Sequence, residues 1–136
     1  ALDLTDKDMK NVKGIISDAP SVSIKAFFED IAKMAFKKNS EKVASYAIER
    51  FQKEFNVDVK EFESVDIVSK SKYPILLSAG SNENKEELFA NIKSVNPNTT
   101  QIIILPGCNH GNGMYKQTKL YQKTIQEFID GVIKSM

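Results

Sequence analysis

Residues 73–80 read Tyr-Pro-Ile-Leu-Leu-Ser-Ala-Gly, an almost unbroken apolar run closed by glycine. A strand with one face in water alternates apolar and polar positions. A run that is apolar at successive positions needs cover on both faces, the condition of a strand inside a parallel sheet. Parallel neighbours must be reached by crossovers, so this segment predicts an α/β chain with strands and helices in turn.

Two further strands fit that requirement. Val12-Lys13-Gly14-Ile15-Ile16-Ser17 is rich in β-branched residues and is ended by Asp18-Ala19-Pro20, and Gln101-Ile102-Ile103-Ile104-Leu105 is ended by Pro106-Gly107. Between the first two strands, Ser21 or Ser23 can cap a helix in which Ile24, Phe27, Phe28, Ile31, Met34 and Ala35 recur at helical spacing. A second amphipathic helix, with Val43, Tyr46, Ala47, Phe51 and Phe55 inward, is expected from a Ser40 cap to near Asn56. Residues 57–72 suggest a short helix leading into the apolar strand. Glu86 to Val95 gives another helix, broken by Asn96-Pro97-Asn98, and Tyr121, Ile125, Phe128, Ile129 and Val132 mark a last one from about Lys116 to the C-terminus.

At 136 residues, 41% hydrophobic and 27% charged, the composition is that of one ordinary globular domain that needs neither disulfide nor metal to hold a core. The 19 basic and 18 acidic residues are interspersed along the chain, which argues against a nucleic-acid partner. Lys37-Lys38 reads as the solvated end of a helix rather than a phosphate site. The one cysteine, Cys108, has no partner for an internal disulfide and no cluster around it for zinc, which fits a reducing, cytoplasmic setting. No signal-peptide pattern opens the chain, and no apolar run is long enough to span a bilayer, so no membrane partner is expected.

Ligands of open parallel sheets bind beyond the carboxyl ends of the strands. The loop after Leu105 reads Pro106-Gly107-Cys108-Asn109-His110-Gly111-Asn112-Gly113 and holds the chain's one histidine. An imidazole at the mouth of a sheet suits a general base; a solvent-exposed loop histidine is the plainer reading. The loop after Gly80 offers Glu83, which can either orient that imidazole or serve as a capping charge ahead of the following helix. Cys108 stands two residues from His110 on the same turn, a poor geometry for a nucleophile–base pair. Neither Gly-x-Ser-x-Gly nor a phosphate-binding glycine loop occurs. On the residues alone, the chain has a base and an acid but no nucleophile.

The stretch from Lys72 to Phe128 resembles the C-terminal part of α/β-hydrolases, bacterial esterase/lipase-like members in particular. The resemblance is carried by Tyr73 to Glu83, a buried strand ending in glycine with the acid three positions on, and by Ile102 to Gly111, a strand running into Pro-Gly-x-x-His-Gly. Val12 to Pro20 resembles the strand that follows the nucleophile helix in that family. The resemblance implies a partial α/β-hydrolase fold of three parallel strands flanked by helices, with residues 21–60 in the place of a helical lid. It also implies that Ala1 to Asp6 is the tail of the nucleophile helix, and that residues 1–136 are the C-terminal fragment of a single hydrolase domain. The family usually places Asp where Glu83 stands, and Asn84-Lys85-Glu86 replaces the apolar residue and proline that often follow.

What the resemblance implies for function is a carboxylesterase- or lipase-like serine hydrolase in which His110 is the base and Glu83 the acid. A serine from a preceding half would attack an ester-type small-molecule substrate, with no cofactor or metal. The uncovered strand edge would pair with that N-terminal half or with another copy. The alternative is a non-catalytic α/β domain that binds a small molecule or protein at the strand ends.

Overall fold

The six residues Ile75 to Gly80 form a strand buried along its whole length, with Ile75, Leu76, Leu77 and Ala79 at most 1% exposed. In this computed structural model, which describes residues 11–21 and 23–135, that strand is the middle of a three-stranded sheet. Its neighbours are β1 (Ile15–Asp18) and β3 (Thr100–Leu105), with the central strand as β2 (Ile75–Gly80). Both pairings are parallel, Ile15 standing opposite Ile75 and Ile75 opposite Thr100. The apolar run therefore takes the central position, where both faces are covered, while β1 and β3 keep half-buried or exposed positions.

The chain divides into two compact units, residues 1–20 with 68–136 and residues 21–67. The first holds the sheet together with α4 (Glu86–Val95), α5 (Gly113–Lys116) and α6 (Thr118–Lys134). Helix α4 crosses from β2 to β3 and buries Phe89 and Ile92, and it carries Glu86 and Glu87 in its first turn, where the helix dipole favours them. At its C-terminus Asn96 Nδ2 donates to the carbonyls of Val68 (3.0 Å) and Ser71 (2.8 Å), fixing the chain's entry to β2. Helix α6 buries Phe128. The last helix expected from about Lys116 is α6, and ahead of it stands the short α5, which periodicity does not record; the break at Gln117 is held by its Nε2 donating to the Pro106 carbonyl at 2.9 Å.

The second unit is built on α1 (Ile24–Phe36) and α2 (Ser40–Phe55), followed by a 3-10 turn at Val59–Phe62 and by α3 (Ser64–Lys70), whose end passes into the first unit. Ser23 caps α1, its hydroxyl accepting from the Ala26 amide at 3.0 Å, a contact worth about 1 kcal/mol. Ser40 does not cap α2. A 3-10 turn at Lys37–Asn39 feeds straight into that helix, so Ser40 already has helical dihedrals and its amide bonds to Lys37. Phe28 packs edge-on against Phe51, and Phe51 against Phe55. The buried positions of the two helices are the small residues Ala32 and Ala44, whereas Phe27, Ile31 and Met34, placed on the apolar face by spacing, are exposed. Spacing marks an apolar stripe but not whether anything covers it.

Among the described residues no helix is long and apolar enough to cross a membrane. The expectation for Ala1 to Asp6 lies outside the described residues.

Candidate active site

The turns after β2 and β3 are joined more tightly than their polar sequences suggest. A Cβ at Gly80 would stand 2.3 Å from the Cys108 carbonyl oxygen and 2.9 Å from that of Asn109, so only glycine lets the two strand ends approach this closely. Three hydrogen bonds then stitch the turns: Asn82 N to the Cys108 carbonyl (3.0 Å), Asn82 Nδ2 to Asn109 Oδ1 (2.8 Å) and Gly107 N to Ser81 Oγ (2.9 Å). The β3 turn also closes on itself, Asn109 N donating to Asn112 Oδ1 at 2.9 Å, with Gly107 and Gly111 at positive φ. Residues 81–83 form a 3-10 turn ended by Asn84 in the left-handed region.

That scaffold brings Glu83 and His110 together. Glu83 Oε2 lies 2.9 Å from His110 Nδ1, and Oε1 accepts the Gly80 amide at 2.8 Å. A carboxylate can only accept, so Nδ1 carries the hydrogen in this contact. Among the described residues no side chain bonds Nε2, and the imidazole is 71% exposed while the Glu83 side chain is 8% exposed. The arrangement is a buried carboxylate bonded to an outward-facing imidazole.

A third group shares the carboxylate. Lys85 Nζ stands 3.2 Å from Glu83 Oε2 and donates to the Pro20 carbonyl at 2.9 Å, linking the β2 turn to the turn after β1. Burial acts to raise the Glu83 pKa, but the Gly80 amide, His110 and Lys85 outweigh it and hold the carboxyl below its ordinary value. Glu83 faces the imidazole, and it closes a turn, though that turn is the 3-10 segment at its own position rather than the start of α4.

Comparison with protein-family models, with curated proteins and with solved structures finds no match to this chain. Any functional reading therefore rests on these residues and their positions.

Other polar groups at the strand ends have assigned partners. Cys108 is fully buried with its thiol against the Pro106 carbonyl, facing neither His110 nor solvent. Ser78, in the middle of β2, donates to Asp18 at the end of β1. Tyr121 of α6 joins the same carboxylate: burial first, then the charge of Asp18 and the hydrogen bond to it, raises the phenol's pKa. Neither this Asp18–Ser78–Tyr121 cluster nor Lys85 was legible beforehand. In sequence, Lys85 is one more charge in a polar loop, and the other three lie far apart.

Proposed function

We propose that this chain is the histidine- and acid-bearing part of a serine hydrolase of the α/β-hydrolase, esterase/lipase kind. The observation that carries the reading is the Glu83–His110 pair at adjacent strand ends, with Nε2 presented to solvent. In acyl transfer such an imidazole takes the proton of an attacking hydroxyl and returns it to the leaving group, while the carboxylate fixes the tautomer and stabilises the imidazolium. The nucleophilic serine comes from a preceding segment that carries a Gly-x-Ser-x-Gly elbow. In chain order, residues 21–60 take the place of the lid insertion.

The test is made in the full reading frame. A Gly-x-Ser-x-Gly roughly a dozen residues ahead of Ala1 is expected, and His110→Ala should abolish turnover of a short p-nitrophenyl ester while leaving the circular dichroism spectrum unchanged. Glu83→Gln should be milder but substantial. Full activity of the His110→Ala protein removes the imidazole from the mechanism.

One observation favours the second reading, a non-catalytic α/β domain that binds a small molecule or protein at the strand ends. Glu83 already has a structural task, closing its turn onto Gly80 and holding Lys85. A reading frame without the serine elbow would decide for it.

A further inference from the structure

Three donors converge on the Glu83 carboxylate, and two of them share one oxygen. Oε1 is occupied by the Gly80 amide at 2.8 Å, while Oε2 takes both His110 Nδ1 at 2.9 Å and Lys85 Nζ at 3.2 Å. Only the imidazole has an obvious use in proton transfer. The lysine is no solvated surface charge: its side chain is 20% exposed, and its ammonium also donates to the Pro20 carbonyl at 2.9 Å. Holding a long, rotamer-rich side chain in one extended placement costs entropy that two directed contacts must offset.

We propose that Lys85 is a positioning residue for the Glu83–His110 pair, its ammonium fixing the carboxylate oxygen that faces the imidazole and tying it to the turn after β1. The inference rests on the hydrolase reading for its kinetic consequence but not for its geometry. Three turns supply the parts: Pro20 follows β1, Glu83 and Lys85 follow β2, and His110 follows β3. Without the lysine, Oε2 is held by the exposed imidazole alone, and the carboxylate's other anchor is the Gly80 amide on the far oxygen.

The electrostatic consequence has one sign. The other charged groups near these turns are engaged elsewhere: Asp18 with Ser78 and Tyr121, and Lys116 at the Gly107 carbonyl, 3.5 Å away. Lys85 is therefore, among the described residues, the cation that faces the Glu83 carboxylate beside the imidazole. Removing it lets Glu83 protonate at higher pH and so lose the acceptor that holds the Nδ1 hydrogen. That change inactivates the pair from the acid side.

The experiment compares Lys85→Met and Lys85→Arg with the unaltered full-length protein, using a p-nitrophenyl ester across a pH series, with His110→Ala as reference. Lys85→Met should lower kcat about tenfold with little change in KM, the worth of a charge-assisted contact discounted for partial exposure. It should also move the acid limb of the rate profile to higher pH, and Lys85→Arg should restore most of both. Lys85 acting only as a structural tie would lower kcat without moving that limb, and that result overturns the proposal.

A second measurement separates this outcome from failure of the hydrolase reading. Nitrogen NMR of the His110 ring in the 136-residue chain should report the hydrogen on Nδ1, and Lys85→Met should shift the tautomer population toward Nε2. If His110→Ala retains activity yet Lys85→Met shifts the tautomer, the hydrolase reading fails and the positioning role stands. An unchanged tautomer in Lys85→Met overturns the positioning role whatever the kinetics show.

Discussion

Gly80→Ala isolates the close approach on which the candidate site depends. Gly80 has φ −76 and ψ 144, dihedrals that alanine adopts freely, so any cost of the methyl group is steric rather than a matter of backbone freedom. The added carbon would stand 2.3 Å from the Cys108 oxygen and 2.5 Å from its carbonyl carbon, both backbone atoms that no rotamer change can move aside. Overpacking of this sort costs about 1–3 kcal/mol. Displacing the β3 turn also weakens the Asn82–Cys108, Asn82–Asn109 and Ser81–Gly107 hydrogen bonds, each worth about 0.5–1.5 kcal/mol when intact and less where exposed. A loss of about 3–4 kcal/mol follows, lowering Tm by roughly 10–15 °C for a chain of this size. Thermal and urea unfolding followed by circular dichroism measure it. Gly131→Ala is the control, because nothing lies within 4 Å of its added methyl and it sits inside α6. That variant should gain about 0.5–1 kcal/mol. A Gly80→Ala protein within about 0.5 kcal/mol of the parent, itself the usual spread for a surface change, would refute the claim that these two turns are locked together by contact.

Two further outcomes are expected. Because the Glu83 carboxyl is held below its ordinary value of 4.5, the stability it contributes is present above that value and is lost as pH falls through the lower folded-state value. Unfolding measured across that acid range should be steeper in pH for the parent than for Glu83→Gln, and identical slopes would contradict the depressed ionisation. Separately, β1 pairs on one side only among the described residues, and the bonds from Ile15 and Ala19 toward β2 leave the amides of Ile16 and Asp18 facing the other way. On the hydrolase proposal the chain should associate through that edge with a preceding half or with another copy, and Ile16→Lys should weaken the association; light scattering that finds a clean monomer of residues 1–136 at high concentration counts against it.

The alternation of strand and helix, the burial of residues 75–80 on both faces and the general extent of most helices were legible from periodicity, because such burial and helical amphipathicity write themselves into consecutive residues. Local signals also offered Ser23, beside Ser21, as a cap, since that bond spans three positions. They misplaced the cap at Ser40, because the 3-10 turn before it had no distinctive composition, and they did not show α5, a single turn whose end at Gln117 is held by a distant carbonyl.

The pairing of Glu83 with His110 was available from sequence only as two residues on turns that a parallel sheet brings to the same end. Whether they touch depends on Gly80 meeting the Cys108 carbonyl and on side chains 26 and 27 positions apart. Lys85 shows the same division more sharply. The sequence determined that a cation stands two places after the acid. Only the folded chain decided that it reaches back to Pro20, 65 positions away, and shares the oxygen that faces the imidazole. Contacts of that kind are fixed by how strand ends are brought together in space, and no period of two or 3.6 residues encodes them.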